Sequence, residues 1–259
     1  MRVLLVGLGK MGYLGFGDAH IWTHWKALQG RDLTVDVCDN SCEKRLKLAE
    51  TQKSTKAYEH LSDALAENKY DAVVLATPPE THLELIGECA NAGVKKILCE
   101  KPLAHTVDDA RAIVEVCRVW GLKLVVGHQR RYHAGHKRLK KFLDESEVLV
   151  ERAVVIFPLF SDSVMNNGSH AADLALFYEA KEITLMGIHT TMFQVVLEMS
   201  DTSTYIYEDY GRSNIDQMLA MYEDLFNNEP AQSSGETALA AMRKVDELCL
   251  SEKSIQATG

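Results

Sequence analysis

Three glycines near the amino end have the spacing of a phosphate-binding turn. The G-x-G-x-x-G motif follows an apolar run at 3–6 directly and consists of Gly7, Leu8, Gly9, Lys10, Met11 and Gly12. After a strand, the first glycine allows a tight turn, the second lets the backbone approach a pyrophosphate, and the third permits close helix–strand packing. Backbone N–H groups and the dipole of the following helix then face the phosphates. The motif predicts a dinucleotide site.

An acidic residue after the second predicted strand would select the dinucleotide. Asp39 follows a predicted strand at 33–37. A carboxylate at this point accepts hydrogen bonds from the adenosine ribose and repels a 2′-phosphate, which favours NAD over NADP. Lys44 and Arg45 follow closely and leave NADP open.

The elements that must position these residues alternate between strands and helices. Apolar runs predict parallel strands at 3–6, 33–37, 72–76, 96–99 and 122–126. Apolar residues at i, i+3, i+4 and i+7 predict helices at 83–90 and 113–120, and Thr106 with Asp109 predicts a capped start for the second of these. Strands separated by helices of this length indicate an α/β fold with a doubly wound parallel sheet.

Two further glycines, Gly15 and Gly17, stand where the first helix of such a unit should continue. Glycine inside a helix costs about 1 kcal/mol relative to alanine. The sequence therefore predicts a loop or distorted turn over 13–20, before a helix at 21–28.

The pattern changes after residue 127. The predicted elements are a helix at 134–144, a strand at 147–157, a helix around 166–178, two or three β-like runs within 183–210, and helices at 215–226 and through 242–249. Strands and helices without strict alternation predict a smaller α+β domain. We expect a dinucleotide-binding domain at 1–128 and an abbreviated substrate and oligomerisation domain at 129–259.

Composition excludes several classes of protein. The 259 residues carry 28 Lys+Arg against 37 Asp+Glu, a formal charge of −9, which argues against a nucleic-acid partner. No apolar run approaches the ~20 residues of a membrane span, and the apolar stretch at the amino end is too short for a signal peptide. The six cysteines include no C-x-x-C pair. We expect reduced thiols and a cytoplasmic protein without a membrane partner.

Three strings after predicted strands make a family recognisable. They are A-T-P-P-E-T-H at 76–82, E-K-P at 100–102 and G-H-Q-R-R-Y at 127–132. With the glycine motif, they resemble the Gfo/Idh/MocA oxidoreductases, a family that includes glucose–fructose oxidoreductase and inositol dehydrogenase. The resemblance covers residues 1 to about 145, and more loosely N-N-G-S-H-A-A-D at 166–173. It implies an N-terminal Rossmann domain and a second domain with an open, mostly antiparallel sheet, shorter here than is usual in the family.

The resemblance also implies roles for individual residues. Lys101 would lie near the nicotinamide and the reacting carbinol, where it assists proton transfer or orients the hydroxyl, and His170 would be the general acid/base. The remaining implied cofactor contacts are Thr77, Pro78, His82, Glu100 and Gln129. Arg131 and Tyr132 would contact a substrate oxygen or phosphate, and Lys101, His170 and Asp173 are also expected to bind the substrate. A surface ion pair of Arg131 stays open as the alternative.

Asn166 stands where the family has an Asp, four residues before the catalytic His. We place it in the catalytic set, although an amide can hold neither a proton nor a negative charge. Helical spacing puts Asn166, His170 and Asp173 on one face, and Asp173 can orient the imidazole if its side chain reaches. Loss of the charge at 166 should lower the pKa of His170. A structural, hydrogen-bonded His170 is the alternative.

Other histidines carry weaker signals. His128, His133 and His136 have spacings without a known zinc geometry, so no metal is predicted. His24 is interpreted as part of the core or its rim.

The predicted function is an NAD(P)-dependent oxidoreductase that moves a hydride between nicotinamide and a secondary hydroxyl or keto carbon. Its substrate would be a sugar, a cyclitol or a nucleotide-linked sugar, and the protein is expected to be a homo-oligomer. A redox-neutral, NAD-dependent glycoside hydrolase and a non-catalytic NAD-binding sensor or partner subunit remain open as alternatives.

Overall fold

The computed structural model describes residues 1–15, 23–52, 55–158, 164–188, 193–209 and 215–250. The chain forms two compact units. The first comprises Met1–Gly127 and Ser213–Gly235, and the second comprises His128–Arg212 and Glu236–Gly259. Among the described residues, no helix has both the length and the apolar composition needed to cross a membrane.

The first unit contains a six-stranded parallel sheet in the order β3-β2-β1-β4-β5-β6. Its strands are β1 (Arg2–Val6), β2 (Thr34–Cys38), β3 (Ala57–Tyr58), β4 (Ala72–Leu75), β5 (Lys96–Cys99) and β6 (Lys123–Val126). Its helices are α1 (His24–Leu28), α2 (Cys42–Thr51), α3 (Leu61–Glu67), α4 (His82–Asn91), α5 (Val107–Trp120) and α8 (Ile215–Phe226).

The predicted doubly wound sheet is confirmed. In β1 and β4 the apolar side chains are covered on both faces, and Leu4, Leu5, Val73 and Val74 are fully buried. This double burial explains why the strands appear in the sequence as continuous apolar runs. The strand order reverses direction between β1 and β4, which creates a switch point at the carboxyl edge of the sheet, where such folds bind ligands. The two-residue edge strand β3 is too short to give a sequence signal.

The capped start of α5 is also confirmed. Oγ1 of Thr106 accepts a hydrogen bond from the backbone N–H of Asp109 at 3.0 Å and donates to the Asp109 carboxylate at 2.7 Å. The first bond satisfies the N–H of Asp109, which has no partner inside the helix, and the second ties the two side chains together.

The segment after the glycine motif begins with a π-helical turn, Lys10–Leu14. Residues 16–20 of the predicted loop and residues 21–22 of the predicted helix lie outside the described residues. The helix predicted from 21 is described only from His24, where the Oγ1 atom of Thr23 accepts from the N–H of Lys26 at 3.2 Å. That bond makes Thr23 the N-cap of α1.

Residues 213–235, which the sequence pattern places in the second domain, cluster with the first unit. Helix α8 buries Met218, Tyr222 and Leu225 completely, and it packs against α1, β5 and β6. The apolar stripe of an amphipathic helix shows that the helix must pack, but not on which surface.

The second unit contains a four-stranded sheet in the order β10-β9-β7-β8. Its strands are β7 (Val150–Pro158), β8 (Glu182–Ile188), β9 (Phe193–Met199) and β10 (Thr204–Asp209), and its helices are α6 (Ala134–Glu145), α7 (Val164–Phe177) and α9 (Gly235–Leu250), the last from residue 236 onward. The β7–β9 and β9–β10 pairs are antiparallel and β7–β8 is parallel, so the expected mostly antiparallel sheet is confirmed. Its core joins Phe157 and Leu197 of the sheet to Leu174 of α7 and Val245 of α9.

Candidate functional site

The candidate site residues of the first unit follow the carboxyl ends of its central strands. The glycine motif follows β1, Thr77 and Pro78 follow β4, and Glu100 with Lys101 follows β5. Because the strands are parallel, these segments share one edge of the sheet.

The glycine motif forms a tight turn that other residues could not make. Gly7 has φ +92°, and a Cβ atom there would lie 2.5 Å from the carbonyl oxygen of Ala76. A Cβ atom on Gly12 would collide with the carbonyl oxygen of Gly7. At Gly9, by contrast, a Cβ atom would meet no atom of the described residues within 4 Å, so among these residues open space adjoins the backbone. This space beside the turn fits a group that approaches the backbone closely, as a pyrophosphate does.

The glycine motif leads into a distorted helical turn, as the glycines after the motif predicted, and within the described residues no full helix follows whose dipole could face the phosphates. The N–H groups of Tyr13 and Leu14 both donate to the carbonyl of Gly9, at 2.9 and 3.0 Å, and Gly15 donates to Lys10 at 3.0 Å. This single π-helical turn has only five residues and cannot supply the macrodipole of a full helix. The glycines that follow it are the physical reason, because glycine disfavours helix propagation. Lys10 is exposed, and Met11 is half-buried.

Asp39 lies beside the same turn and is almost fully buried. Its Oδ2 atom accepts from the N–H of Leu8 at 2.7 Å, and its Oδ1 atom accepts from the N–H of Ser41 at 2.8 Å. The ammonium group of Lys44 lies 3.2 Å from Oδ2, and Arg45 donates to the Asp39 carbonyl at 2.7 Å. The carboxylate is thus fixed against the glycine turn, with two cations close to it.

Thr77, Pro78 and His82 shape the loop after β4. Pro78 is exposed and Thr77 half-buried, whereas His82 is completely buried. The imidazole nitrogens of His82 lie 2.9 Å from the carbonyl of Leu103 and 3.0 Å from that of Thr77. Burial lowers the pKa of His82, although both backbone contacts oppose the shift. His82 thus ties two segments of the carboxyl edge together.

Glu100 is buried behind Lys101 and interacts through both carboxylate oxygens. Its Oε1 atom lies 2.9 Å from Nε2 of His24, and its Oε2 atom accepts from the backbone N–H of Lys101 at 3.2 Å. Burial acts to raise the pKa of Glu100, but the hydrogen bond and charge of His24, together with the charge of Lys101, outweigh it and leave this pKa below its usual value. The buried carboxyl is therefore ionised, and Lys101 is half-buried next to it.

Sequence reasoning missed His24 and Tyr222 as partners of this group. Nδ1 of His24 lies 2.9 Å from the hydroxyl oxygen of Tyr222. In the chain, 198 residues separate Tyr222 from His24, and 76 residues separate Glu100 from His24. No local spacing could therefore have predicted these contacts. The only hint was a histidine among apolar residues, which more often packs in a core.

The candidate residues of the second unit begin with the 3₁₀ turn Gln129–Tyr132. Arg131 is buried, and its Nε atom donates to Oδ2 of Asp173 at 2.7 Å. Nδ1 of His128 lies 3.3 Å from Oδ1 of the same carboxylate. Tyr132 is also buried, and Gln129 is half-buried. The sequence alternative for Arg131 was a surface ion pair; Arg131 does form an ion pair, but the pair is buried, so the expected surface location is wrong.

Helix α7 carries Asn166, His170 and Asp173. Asn166 is exposed, whereas His170 and Asp173 are buried. The rings of His170 and His128 make an edge-to-face contact with centroids 5.5 Å apart. The structure thus brings His170, His128, Asp173 and Arg131 together. Asp173 was expected to orient His170, but its carboxylate accepts a hydrogen bond from Arg131 and lies 3.3 Å from Nδ1 of His128.

Metal binding has no evident site in the part of the chain that the structure describes. There, no three His, Cys, Asp or Glu side chains are grouped so that they could hold a metal ion. His133 and His136 contact each other, with ring centroids 5.2 Å apart, and both pack against Tyr207.

Comparison with curated proteins finds dehydrogenases. Inositol 2-dehydrogenase of Rhodococcus erythropolis is 30% identical over 200 residues, which cover 73% of this chain and 55% of that protein. The 4-carboxy-2-hydroxymuconate-6-semialdehyde dehydrogenase of a Sphingobium species is 31% identical over 166 residues, which cover 64% of this chain and 50% of that protein. The chain thus spans about half the length of the curated relatives it matches.

Solved structures confirm the fold. The WlbA dehydrogenase of Bordetella pertussis, in complex with NADH and UDP-GlcNAcA, superimposes with a TM-score of 0.74 at 17% identity, over 97% of this chain and 95% of that one. The family model GFO_IDH_MocA, described as an oxidoreductase family with an NAD-binding Rossmann fold, matches residues 1–128. Through these residues, the chain belongs to the Gfo/Idh/MocA oxidoreductase family.

Proposed function

We propose that the protein is an NAD-dependent dehydrogenase that moves a hydride between nicotinamide and a carbon bearing a secondary hydroxyl. The observation that best supports this proposal is that the glycine turn and the buried, ionised Glu100 beside Lys101 share one edge of the first sheet. Sugars, cyclitols and nucleotide-linked sugars are the proposed substrates. Relatives named inositol 2-dehydrogenase and the Bordetella complex with UDP-GlcNAcA support this range.

The glycine turn and Asp39 would hold the dinucleotide. The open space beside Gly9 leaves its backbone accessible to a pyrophosphate, and the fixed carboxylate of Asp39 offers remaining lone pairs to ribose hydroxyls. We propose NAD as the preferred form because that carboxylate repels a 2′-phosphate. The positive charges of Lys44 and Arg45 would weaken this preference for NAD over NADP. When bound, the cofactor supplies the nicotinamide carbon that accepts the hydride.

Lys101 and His170 would have different roles at the reacting hydroxyl group. An adjacent carboxylate favours the charged form of an amine, so Glu100 keeps Lys101 as an ammonium that donates a hydrogen bond and cannot accept a proton. We therefore assign the orientation of the hydroxyl to Lys101 and the removal of its proton to His170. Asn166, one turn before His170, would contribute a hydrogen bond without a charge.

The remaining predicted residues would act through their neighbours. His82 holds the carbonyl of Thr77, so we propose that it shapes the cofactor loop. Arg131 donates to Asp173, whose carboxylate lies 3.3 Å from His128, and the ring of His128 packs against His170. We propose that the Arg131–Asp173 pair positions the second-unit histidines. Direct substrate contacts of Arg131, Tyr132 and Asp173, and a nicotinamide contact of Gln129, stay predictions.

A homo-oligomer would cover the face of the second sheet that points away from its core. Val154, Val196 and Ile206 are register partners on three neighbouring strands, and Ile206 is exposed. We propose that a second copy packs on this apolar row, and Val196→Glu should then reduce the mass measured by sedimentation.

A cytoplasmic location is proposed from the cysteines, which are expected to be reduced. Burial raises the pKa of both Cys38 and Cys89 to about 12, which suits inert thiols.

The test is turnover with NAD⁺ and a panel of myo-inositol, scyllo-inositol and UDP-N-acetylglucosamine-type sugars. We expect NADH and the ketone to form in equal amounts. Lys101→Ala and His170→Ala should each lower kcat by roughly 10²- to 10⁴-fold, while the exposed control Lys181→Ala should leave it unchanged. Release of sugar without NADH would instead identify a glycoside hydrolase. Tight binding of NAD⁺ without any turnover would identify a sensor.

A further inference from the structure

A chain of three buried polar side chains lies behind the Glu100–Lys101 segment. His24 is fully buried at the start of α1, and Tyr222 is fully buried on α8. The imidazole bridges the two partners, with 2.9 Å from Nδ1 to the Tyr222 hydroxyl and 2.9 Å from Nε2 to Oε1 of Glu100. All three residues belong to the first unit.

The carboxylate dictates how the protons are arranged. An ionised carboxylate only accepts hydrogen bonds, so Nε2 of His24 must carry a hydrogen and donate it to Glu100. Nδ1 of His24 then faces the hydroxyl of Tyr222, which can either donate or accept. Burial and the nearby charge of Glu100 raise the pKa of Tyr222, so its hydroxyl stays protonated. Tyr222 therefore holds the ring in place in either protonation state of His24.

The other side of the carboxylate faces the reactive segment. Its Oε2 atom accepts from the backbone N–H of Lys101 at 3.2 Å, and a Cβ atom added to Gly127 would lie 3.1 Å from it. Glu100 is thus confined between His24 on one side and the start of the Lys101 segment on the other. Among the residues that the structure describes, Cys99, His82 and the charged end of Lys101 also interact electrostatically with this carboxylate.

We propose that His24, held by Tyr222, is the positioning residue that fixes Glu100 and, through it, Lys101. A buried carboxylate without a partner is costly and tends to take up a proton. Without His24, Oε1 of Glu100 would lose its partner, so the carboxylate would be held less firmly and would take up a proton more readily. The anion that favours the ammonium form of Lys101 would then be weakened. This inference rests on the proposed function only in the role it gives to Lys101.

A measurement on Lys101 itself tests the inference without a substrate. NMR of isotope-labelled lysine side chains follows the titration of Lys101, with Lys101→Arg to assign its signal. In His24→Leu we expect the titration midpoint to fall by about 1 pH unit. Tyr222→Phe should shift the midpoint in the same direction by less, and His24→Gln, whose amide can still donate to Glu100, should restore part of it.

Tyr70→Phe is the matched control. Tyr70 is a buried tyrosine of the same unit whose hydroxyl donates to the carboxylate of Asp36 at 3.0 Å, away from the carboxyl edge. The Lys101 midpoint should not change in this variant. An unchanged midpoint in folded His24→Leu would overturn the inference. If His24→Leu does not fold, Tyr222→Phe decides, and an unchanged midpoint there has the same meaning.

Kinetics then link the position of Lys101 to turnover. With NAD⁺ and whichever polyol the wild type oxidises, we expect His24→Leu to lower kcat by roughly 10- to 100-fold. Its Kd for NAD⁺ should stay within about two-fold of the wild type. A wild type without turnover would defeat the proposed dehydrogenase but leave the NMR result standing. A shifted midpoint with unchanged kcat would show that His24 does not position Lys101 for catalysis.

Discussion

Nε2 of His24 lies 2.9 Å from Oε1 of Glu100, although 76 residues separate the two in the chain. His24 begins the helix that follows the glycine turn, and Glu100 ends the strand that presents Lys101. One buried hydrogen bond therefore connects the segment expected to bind the dinucleotide with the segment expected to act on the substrate.

Gly9→Ala should weaken dinucleotide binding without unfolding the protein. The added methyl group would enter open space, so stability should be unchanged, but the group would occupy the place where a pyrophosphate approaches. We expect the Kd for NAD⁺ to rise ~10-fold or more, measured by titration of tryptophan fluorescence. Gly87→Ala in α4 is the control, because its methyl group also meets nothing within 4 Å. That variant should keep the wild-type Kd and gain about 0.5–1 kcal/mol of helix stability. Equal affinities in the two variants would contradict the assignment of the turn.

Asp39→Ser should shift the preference between the two dinucleotides. Removing the carboxylate removes the repulsion of a 2′-phosphate and leaves Lys44 and Arg45 beside the site. We expect the ratio of NADP⁺ to NAD⁺ affinity to rise about 10-fold or more, measured by titration with each. Adding Lys44→Ala should reverse part of the gain, while Lys47→Ala on the same helix should not. No change in the ratio would show that Asp39 does not face the ribose.

His136 should make the protein less stable in acid. It is fully buried, and burial, with the charges of His133 and Arg130, lowers its pKa to about 3. The unfolded chain, with a pKa near 6.5, binds the proton more readily, so stability is complete above about pH 6.5 and declines as the pH falls towards 3. Between pH 7 and pH 5, protonation of this histidine in the unfolded chain should lower the free energy of unfolding by about 2 kcal/mol, as measured by urea unfolding. His136→Phe should flatten this dependence, although the lowered pKa of His82 leaves a remainder. The exposed control His60→Gln should keep the full slope, and a full slope in His136→Phe would refute the assignment.

The Arg131–Asp173 pair should contribute far more to stability than a surface pair. Arg131→Ala leaves the carboxylate of Asp173 buried beside His128 and should cost roughly 3–5 kcal/mol of unfolding free energy. The matched exposed pair is Arg152 with Glu198, where Arg152→Ala should change the free energy of unfolding far less. In the double variant Arg131→Ala with Asp173→Leu, part of the lost free energy of unfolding should be recovered, because the unpaired carboxylate is no longer present. Similar losses of unfolding free energy in Arg131→Ala and Arg152→Ala would contradict this prediction, because they would show that the Arg131–Asp173 pair is exposed to solvent.

Much of the first unit could be predicted from the sequence because its signals are local. A strand covered on both faces must be apolar throughout, so β1, β4 and β5 appear as continuous runs. A glycine with φ +92° packed against the carbonyl of Ala76 tolerates no other side chain, which makes Gly7 a reliable marker of the turn. The reciprocal bonds of Thr106 and Asp109 span only three residues, and they too were predictable.

What the sequence determined by itself was the family, the doubly wound sheet and the residue types along its carboxyl edge, because each depends on neighbours in the chain or on a strand's own burial. Only the tertiary structure decided which buried charges meet. The contacts of Glu100 with His24, of His24 with Tyr222, and of Asp173 with Arg131 and His128 join residues that are far apart in the chain. The physical reason is that a polar group excluded from water must find a partner in space, and the folding of the helices onto the sheets, not the spacing along the chain, selects that partner.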